Sequence, residues 1–202
     1  MSYVGTLDLF TIGIGPSSSH TVGPMRAARA FALELENPQE ITRVQITLYG
    51  SLAATGAGHG TTNALVAGLA GNTPEECKPM EVLKLYENAK ANKEVSLLGT
   101  KVVFNESDLV FERKERLTKH SNGMRFQAFK NEELIHSAVF FSVGGGFIEG
   151  ETETVKVDRN VPYAFNSAVE LMAHANSEGV SIAEIAYRNE VCLLYTSDAA
   201  DE

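Results

Sequence analysis

Apolar residues recur along this chain with two different spacings, and the switches between them divide it into elements. From residue 22 to 36, Met25, Ala28, Ala32 and Leu35 return every three or four positions, which predicts an amphipathic helix. Pro24 fits in the first turn of that helix, where a missing N–H costs nothing, and Asn37-Pro38 ends it. Val44, Ile46 and Leu48 then alternate over 42–49, the pattern of a strand with one buried face. A small-residue stretch from Gly50 to Gly60 leads into a helix over 61–70, with Gly71 at its C-terminal stop. Val82, Leu85, Tyr86 and Ala89 stripe a helix over 80–92, and short extended segments follow at 101–104 and 108–111.

Met124, Phe126 and Ala128 alternate over 123–129, Lys130-Asn131-Glu132-Glu133 turns the chain, and 134–143 returns as the second strand of a hairpin. Gly144-Gly145-Gly146 interrupts regular structure, and 149–160 is a charged, polar connection expected to be flexible. Helices over 166–177 and 181–190 follow, separated by Gly179. Strands and helices interleave, so the expected class is α+β: a layered domain of mixed or antiparallel sheet with helices.

With 202 residues, 44% hydrophobic and 21% charged, the chain can bury one sizeable core. Its net charge of −9, from 17 basic and 26 acidic residues with no Lys/Arg run, argues against nucleic acid or an anionic membrane as partner. No stretch of 18 apolar residues occurs, and Met1-Ser2-Tyr3-Val4-Gly5 is not the basic start of a leader, so a cytoplasmic location is expected. Cys77 and Cys192 can form at most one bridge and are too few for a cubane cluster, which needs three or four thiolates.

The chemistry concentrates in Gly13-Ile14-Gly15-Pro16-Ser17-Ser18-Ser19-His20-Thr21, directly before the first helix. Hydroxyls and free N–H groups at a helix start suit a carboxylate or phosphate. Capping explains one serine, but three serines with His20 and Thr21 exceed that need. Gly56-Ala57-Gly58-His59-Gly60-Thr61 sets a histidine among glycines, either a proton shuttle or a solvent-facing turn residue. Asn122-Gly123 is a turn signal, while Arg125 could clamp a carboxylate or simply sit on a surface strand. His136 and His174 read as structural and Cys77 as an isolated surface thiol, and no H-E-x-x-H or C-x-x-C metal pattern occurs. A pyridoxal-phosphate site would need a lysine beside a phosphate-cradling loop, and neither serine-bearing stretch has one nearby.

Taken in order, Gly13–Pro24, Tyr49-Gly50-Ser51-Leu52 with Thr55-Gly56, and Gly58-His59-Gly60-Thr61 resemble the bacterial iron–sulfur L-serine dehydratases. Asn122-Gly123-Met124-Arg125-Phe126, Ser142-Val143-Gly144-Gly145-Gly146-Phe147 and Val161-Pro162-Tyr163 continue the likeness, which covers about residues 6–190. The resemblance implies deamination of L-serine to pyruvate and ammonia, with a 4Fe-4S cluster as Lewis acid on the substrate hydroxyl. It implies His59 as the base for the α-proton. Ser17, Ser18, Ser19, His20 and Thr21, with Thr61, Asn122 and Arg125, are then the substrate-binding residues.

The same likeness implies the serine dehydratase beta-chain-like fold over 1–160, and the start of a helical, cluster-bearing domain over 161–190. That domain would be truncated here, and the tail 191–202, which departs from the family's pattern, is expected to be non-native. The cluster ligands are expected in the missing helical domain and none in this chain, so the fragment alone is expected to be inactive. The full-length enzyme is expected to be a homodimer. A serine-binding regulatory module without catalysis is the alternative reading.

Overall fold

The alternation in Val44, Ile46 and Leu48 is real: they are buried on one side of β1 (Arg43–Tyr49), while Arg43, Gln45 and Thr47 are half-buried on the other. The structure is a computed structural model that describes Gly5 and residues 13–151 and 161–198. These fall in two units, divided between Thr154 and Val155.

In the larger unit, β1 is joined by β2 (Glu94–Leu97), β3 (Thr100–Val103), β4 (Leu109–Glu112), β5 (Gly123–Lys130), β6 (Glu133–Gly144) and β7 (Phe147–Gly150). The seven strands form one mixed sheet of order β2-β3-β1-β5-β6-β7, with β4 also paired to β1. β3 meets β1 in parallel at Arg43↔Val103, and β4 takes over the same edge from Ile46↔Leu109 to Tyr49↔Glu112. β5 is antiparallel to β1, with Thr47 opposite Arg125. The step from β3 to β4 is pinned by Asp108, which is almost fully buried. Its Oδ1 accepts from Arg43 Nη1 at 2.9 Å and its Oδ2 from the Asn105 amide at 2.7 Å. A buried carboxylate is tolerated only with such partners.

Two helices, α1 (Gly23–Glu34) and α3 (Thr61–Leu69), cover the face carrying Met124, Phe126 and Ala128. Phe31 of α1 stacks on Phe126 at 5.2 Å between ring centroids, and Phe140 meets Phe126 edge-on at 5.9 Å. Where α1 and α3 cross, a Cβ on Gly68 would lie 2.2 Å from the Met25 carbonyl oxygen and 2.8 Å from Ala28 Cβ. Gly68 is therefore required by a close helix crossing. Between the two helices, the 50–60 stretch is not a loop: it folds as α2 (Gly50–Thr55) and a 3-10 turn (Gly56–His59), with Leu52 and Ala53 buried. The helix expected over 80–92 is two, α4 (Pro79–Val82) and α5 (Leu85–Asn92).

β2 and β7 are strands that the sequence pattern does not predict. Gly144-Gly145-Gly146 turns the chain into β7 instead of ending the sheet, with φ of 107°, 59° and 82°. Glu149 and Gly150 of the expected flexible connection belong to β7, and 152–160 lie outside the described residues. His136 Nε2 lies 2.8 Å from Glu34 Oε2, and its ring stacks on Phe31, in keeping with a structural role.

The smaller unit is a pair of helices, α6 (Ala168–Glu178) and α7 (Ile182–Asp198), the second running eight residues past position 190. The Ser167 hydroxyl caps α6 by accepting from the Glu170 amide, and Gly179, at φ 63°, ends it. The buried Asn189 clamps Tyr163: its Oδ1 accepts from the Tyr163 amide at 3.0 Å, and its Nδ2 donates to the Tyr163 carbonyl at 2.9 Å. His174 Nε2 lies 2.9 Å from the Ala164 carbonyl, again structural.

The crossing at Gly68 yields a prediction. Gly68→Ala should lower unfolding stability by about 1–3 kcal/mol through overpacking. Gly58→Ala should leave it nearly unchanged, since nothing lies within 4 Å of a Cβ there. Urea unfolding of both variants checks the contrast.

Candidate functional site

The site forms where β1 ends. After Tyr49, Gly50 turns with φ 54°, and a Cβ there would come 2.3 Å from the Ser121 carbonyl oxygen, so only glycine passes this point. The next residue, Ser51, donates its amide to that same carbonyl at 3.0 Å. Its hydroxyl then lies 3.1 Å from His20 Nε2.

His20 belongs to a turn of π-helix, Ser18–Val22, that leads into α1. Such turns are rare and leave wide spacing in the backbone ladder. Ser17 caps this turn by accepting from the His20 amide at 3.2 Å, so one serine is accounted for by capping. Ser19 does something else: its Oγ lies 3.0 Å from His20 Nδ1 and 3.4 Å from Ser17 Oγ. Ser18 is exposed.

The second histidine segment interlocks with the first. Thr21 Oγ1 donates to the His59 carbonyl at 2.7 Å, and Thr61 Oγ1 donates to the His20 carbonyl. Both threonines are buried. The two imidazoles come to 5.2 Å between centroids, tilted by 49°. His59 Nδ1 lies 2.9 Å from the Thr55 carbonyl, which can only accept. Nδ1 therefore carries a hydrogen, and in the uncharged tautomer of this exposed ring Nε2 keeps the lone pair. The His20 pKa is held below the ordinary histidine value, first by burial and second by the neighbouring His59, against the raising effect of the Ser51 backbone. At neutral pH His20 is thus uncharged, and its surroundings are rich in hydroxyls.

Asn122 and Ser142 close the inner end. The Ser142 amide donates to the Asn122 carbonyl at 3.0 Å, and Asn122 Nδ2 donates back to the Ser142 carbonyl at 3.2 Å. Asn122 Oδ1 and Ser142 Oγ are nevertheless buried without a hydrogen-bond partner. Ser142 faces the start of α1, where a Cβ on Gly23 would fall 2.0 Å from its Oγ.

The structure therefore brings Ser17, Ser19, His20, Thr21, His59 and Thr61 together, with Ser18 exposed on the same turn. Asn122 adjoins through Ser121. Arg125 stands apart: it alternates with Met124 and Phe126 and so points from the opposite face of β5, its guanidinium 5.6 Å from the Tyr49 ring centroid. Ser51 and Ser142 escaped the sequence-based site list. A glycine directly after a strand end was the signal that could have flagged Ser51.

Cys77 is half-buried, with its thiol pKa raised chiefly by burial. Among the described residues no three His, Cys, Asp or Glu side chains are grouped to hold a metal ion. A 4Fe-4S cluster does not fit the two thiols this chain offers.

Residues 5–153 match the family described as serine dehydratase beta chain. This chain belongs to that family. An L-serine dehydratase of Streptomyces coelicolor is 41% identical over 199 residues, covering 93% of this chain and 44% of its own length. L-serine dehydratase TdcG of Escherichia coli is 39% identical over 198 residues, covering 94% and 44%. An L-serine dehydratase of Helicobacter pylori is 37% identical over 208 residues, covering 98% and 46%. The chain spans less than half the length of these relatives.

The lowered His20 pKa of this beta-chain family member has a consequence of fixed sign. Between the ordinary value of 6.5 and the folded midpoint, the unfolded chain binds more protons than the folded one, so stability falls as pH falls through that window. His20→Gln should flatten this part of the curve. Urea unfolding from neutral pH down through the His20 midpoint measures it.

Proposed function

We propose that this chain is the substrate-holding and proton-handling portion of an L-serine dehydratase, which converts L-serine to pyruvate and ammonia. The observation that carries the reading is the interlocked pair of histidine segments, with His59 Nδ1 tied to the Thr55 carbonyl so that Nε2 is the basic nitrogen, beside a hydroxyl-rich helix start. Relatives named L-serine dehydratase support the choice of substrate.

On this reading the substrate carboxylate sits at the Ser17–Ser19 turn, where hydroxyls and first-turn amides donate to an anion. Nε2 of His59 takes the α-proton. The electron pair of that C–H bond becomes the Cα=Cβ bond as the Cβ–O bond breaks, and hydroxide leaves with a proton as water. The resulting 2-aminoacrylate tautomerises to an imine, and water then releases ammonia and pyruvate. A neutral imidazole is suited to the proton transfer near neutral pH. The Thr61 hydroxyl already bonds the His20 carbonyl, so Thr61 acts by holding the histidine segments, and Asn122 by holding the inner end. The α6 and α7 pair opens a second, helical domain.

The test joins this chain to the remaining length of the family and follows pyruvate from L-serine. His59→Ala should lose about 100-fold or more of the rate while circular dichroism is unchanged. An active His59→Ala enzyme overturns the base assignment. Calorimetric titration of L-serine should show binding that Ser19→Ala weakens; binding with no turnover in the joined protein would instead make this a serine-binding module.

A further inference from the structure

We infer that Ser51 is a positioning residue for His20, whose hydroxyl decides which ring nitrogen carries hydrogen and so which way the hydroxyls of Ser19 and Ser17 point. The inference rests on the proposed substrate reading only for what those aligned hydroxyls meet.

Both ring nitrogens of His20 face a hydroxyl, Nδ1 toward Ser19 and Nε2 toward Ser51, and Ser19 continues to Ser17 at 3.4 Å. A neutral imidazole has one N–H and one lone pair, so one hydroxyl must donate to it and the other must accept from it. Two directions then run unbroken through the four groups. In one, Ser51 donates to Nε2, Nδ1 donates to Ser19, Ser19 donates to Ser17, and the Ser17 hydrogen is left to point out of the turn. In the other, Ser17 donates to Ser19, Ser19 to Nδ1 and Nε2 to Ser51, which leaves the spare hydrogen on Ser51. Ser17 Oγ accepts from the His20 amide in both cases.

An anion at the serine turn needs a donor there, and only the first direction supplies one from Ser17. That direction requires Ser51 as donor to Nε2. Without the Ser51 hydroxyl, nothing in the chain of hydrogen bonds holds a hydrogen against Nε2, and the outward-pointing arrangement loses its anchor.

The hydroxyl has no competing structural duty. Tyr49 stands at the N-cap of α2, and no side chain caps that helix. Ser51 is also held rigidly by its own backbone. Its amide donates to the Ser121 carbonyl, its carbonyl accepts from Thr55 Oγ1 at 3.0 Å, and Gly50 before it admits no side chain. A rigid backbone with an unassigned hydroxyl aimed at a ring nitrogen is the arrangement expected of a tautomer-setting group. His59 is the titratable group that faces His20 from the other segment.

The test uses the full chain labelled with 15N-histidine, in which nitrogen shifts report the tautomer and midpoint of His20. Wild type is compared with Ser51→Ala, with Ser51→Val and with the hydroxyl-bearing isostere Ser51→Thr. Ser51→Ala and Ser51→Val should raise the His20 midpoint, since a donor to the lone pair of the uncharged ring is gone, and Ser51→Thr should restore it. Added L-serine should shift wild-type His20 toward the Nδ1–H form, and that response should vanish in the two variants lacking the hydroxyl. Their L-serine affinity should fall about fivefold, the loss of one oriented hydrogen bond. A folded Ser51→Ala or Ser51→Val protein with unchanged His20 shifts and midpoint overturns the inference. If L-serine changes no spectrum but the variants still move the midpoint and threonine rescues it, the substrate reading fails and the role of Ser51 stands.

Discussion

Two buried threonine hydroxyls hold the functional end of this protein together, each donating to the backbone carbonyl of the histidine in the other segment. Thr21 reaches the His59 carbonyl and Thr61 the His20 carbonyl, so neither histidine segment can shift without stranding a hydroxyl of a buried threonine in the other. A stranded buried hydroxyl costs about 1–3 kcal/mol, enough to keep the two imidazoles in register. The close crossing of α1 and α3 at Gly68 brings the starts of both helices near enough for these bonds to form. Packing far from the site thus sets the spacing of the groups within it.

The sheet contributes the remaining order. β1 is paired on both sides, and the buried Asp108 with Arg43 fixes where β4 replaces β3 along one edge. The far end of β1 is thereby placed, and with it Gly50 and Ser51. Despite an overall charge of −9, the residues that gather at the site are hydroxyls and uncharged imidazole. The site therefore offers directed hydrogen-bond donors and, among the described residues, no charged lining.

The long periodic elements could be read in advance because their spacing survives folding: Met25 to Ala32 in α1, Val44 to Leu48 in β1 and Met124 to Ala128 in β5 are all buried as their periods imply. α2 hid among small residues, while β2 adjoins the end of α5 and β7 follows three glycines, so neither stood out although the equally short β3 and β4 did. At the site, the excess of serines over capping needs was informative, since Ser17 alone makes the cap and Ser19 turns to His20. Arg125 shows what a linear reading lacks. Its type suits a carboxylate, but period-two alternation puts it on the opposite side of β5 from Phe126, a fact that depends on which face the helices cover. Ser51 acquires meaning only through a partner thirty-one positions away.

The unmet Oγ of Ser142 lies against the start of α1, and Oδ1 of Asn122, whose Nδ2 donates to the Ser142 carbonyl, is likewise unmet, in an interior whose other buried side-chain polar atoms are matched among the described residues. Any local loosening there lets water satisfy both atoms, so it costs less than loosening elsewhere in the core. The joint between α1 and β6 is consequently the natural breathing point of the domain. It adjoins the serine turn, whose last residue, Val22, runs directly into Gly23.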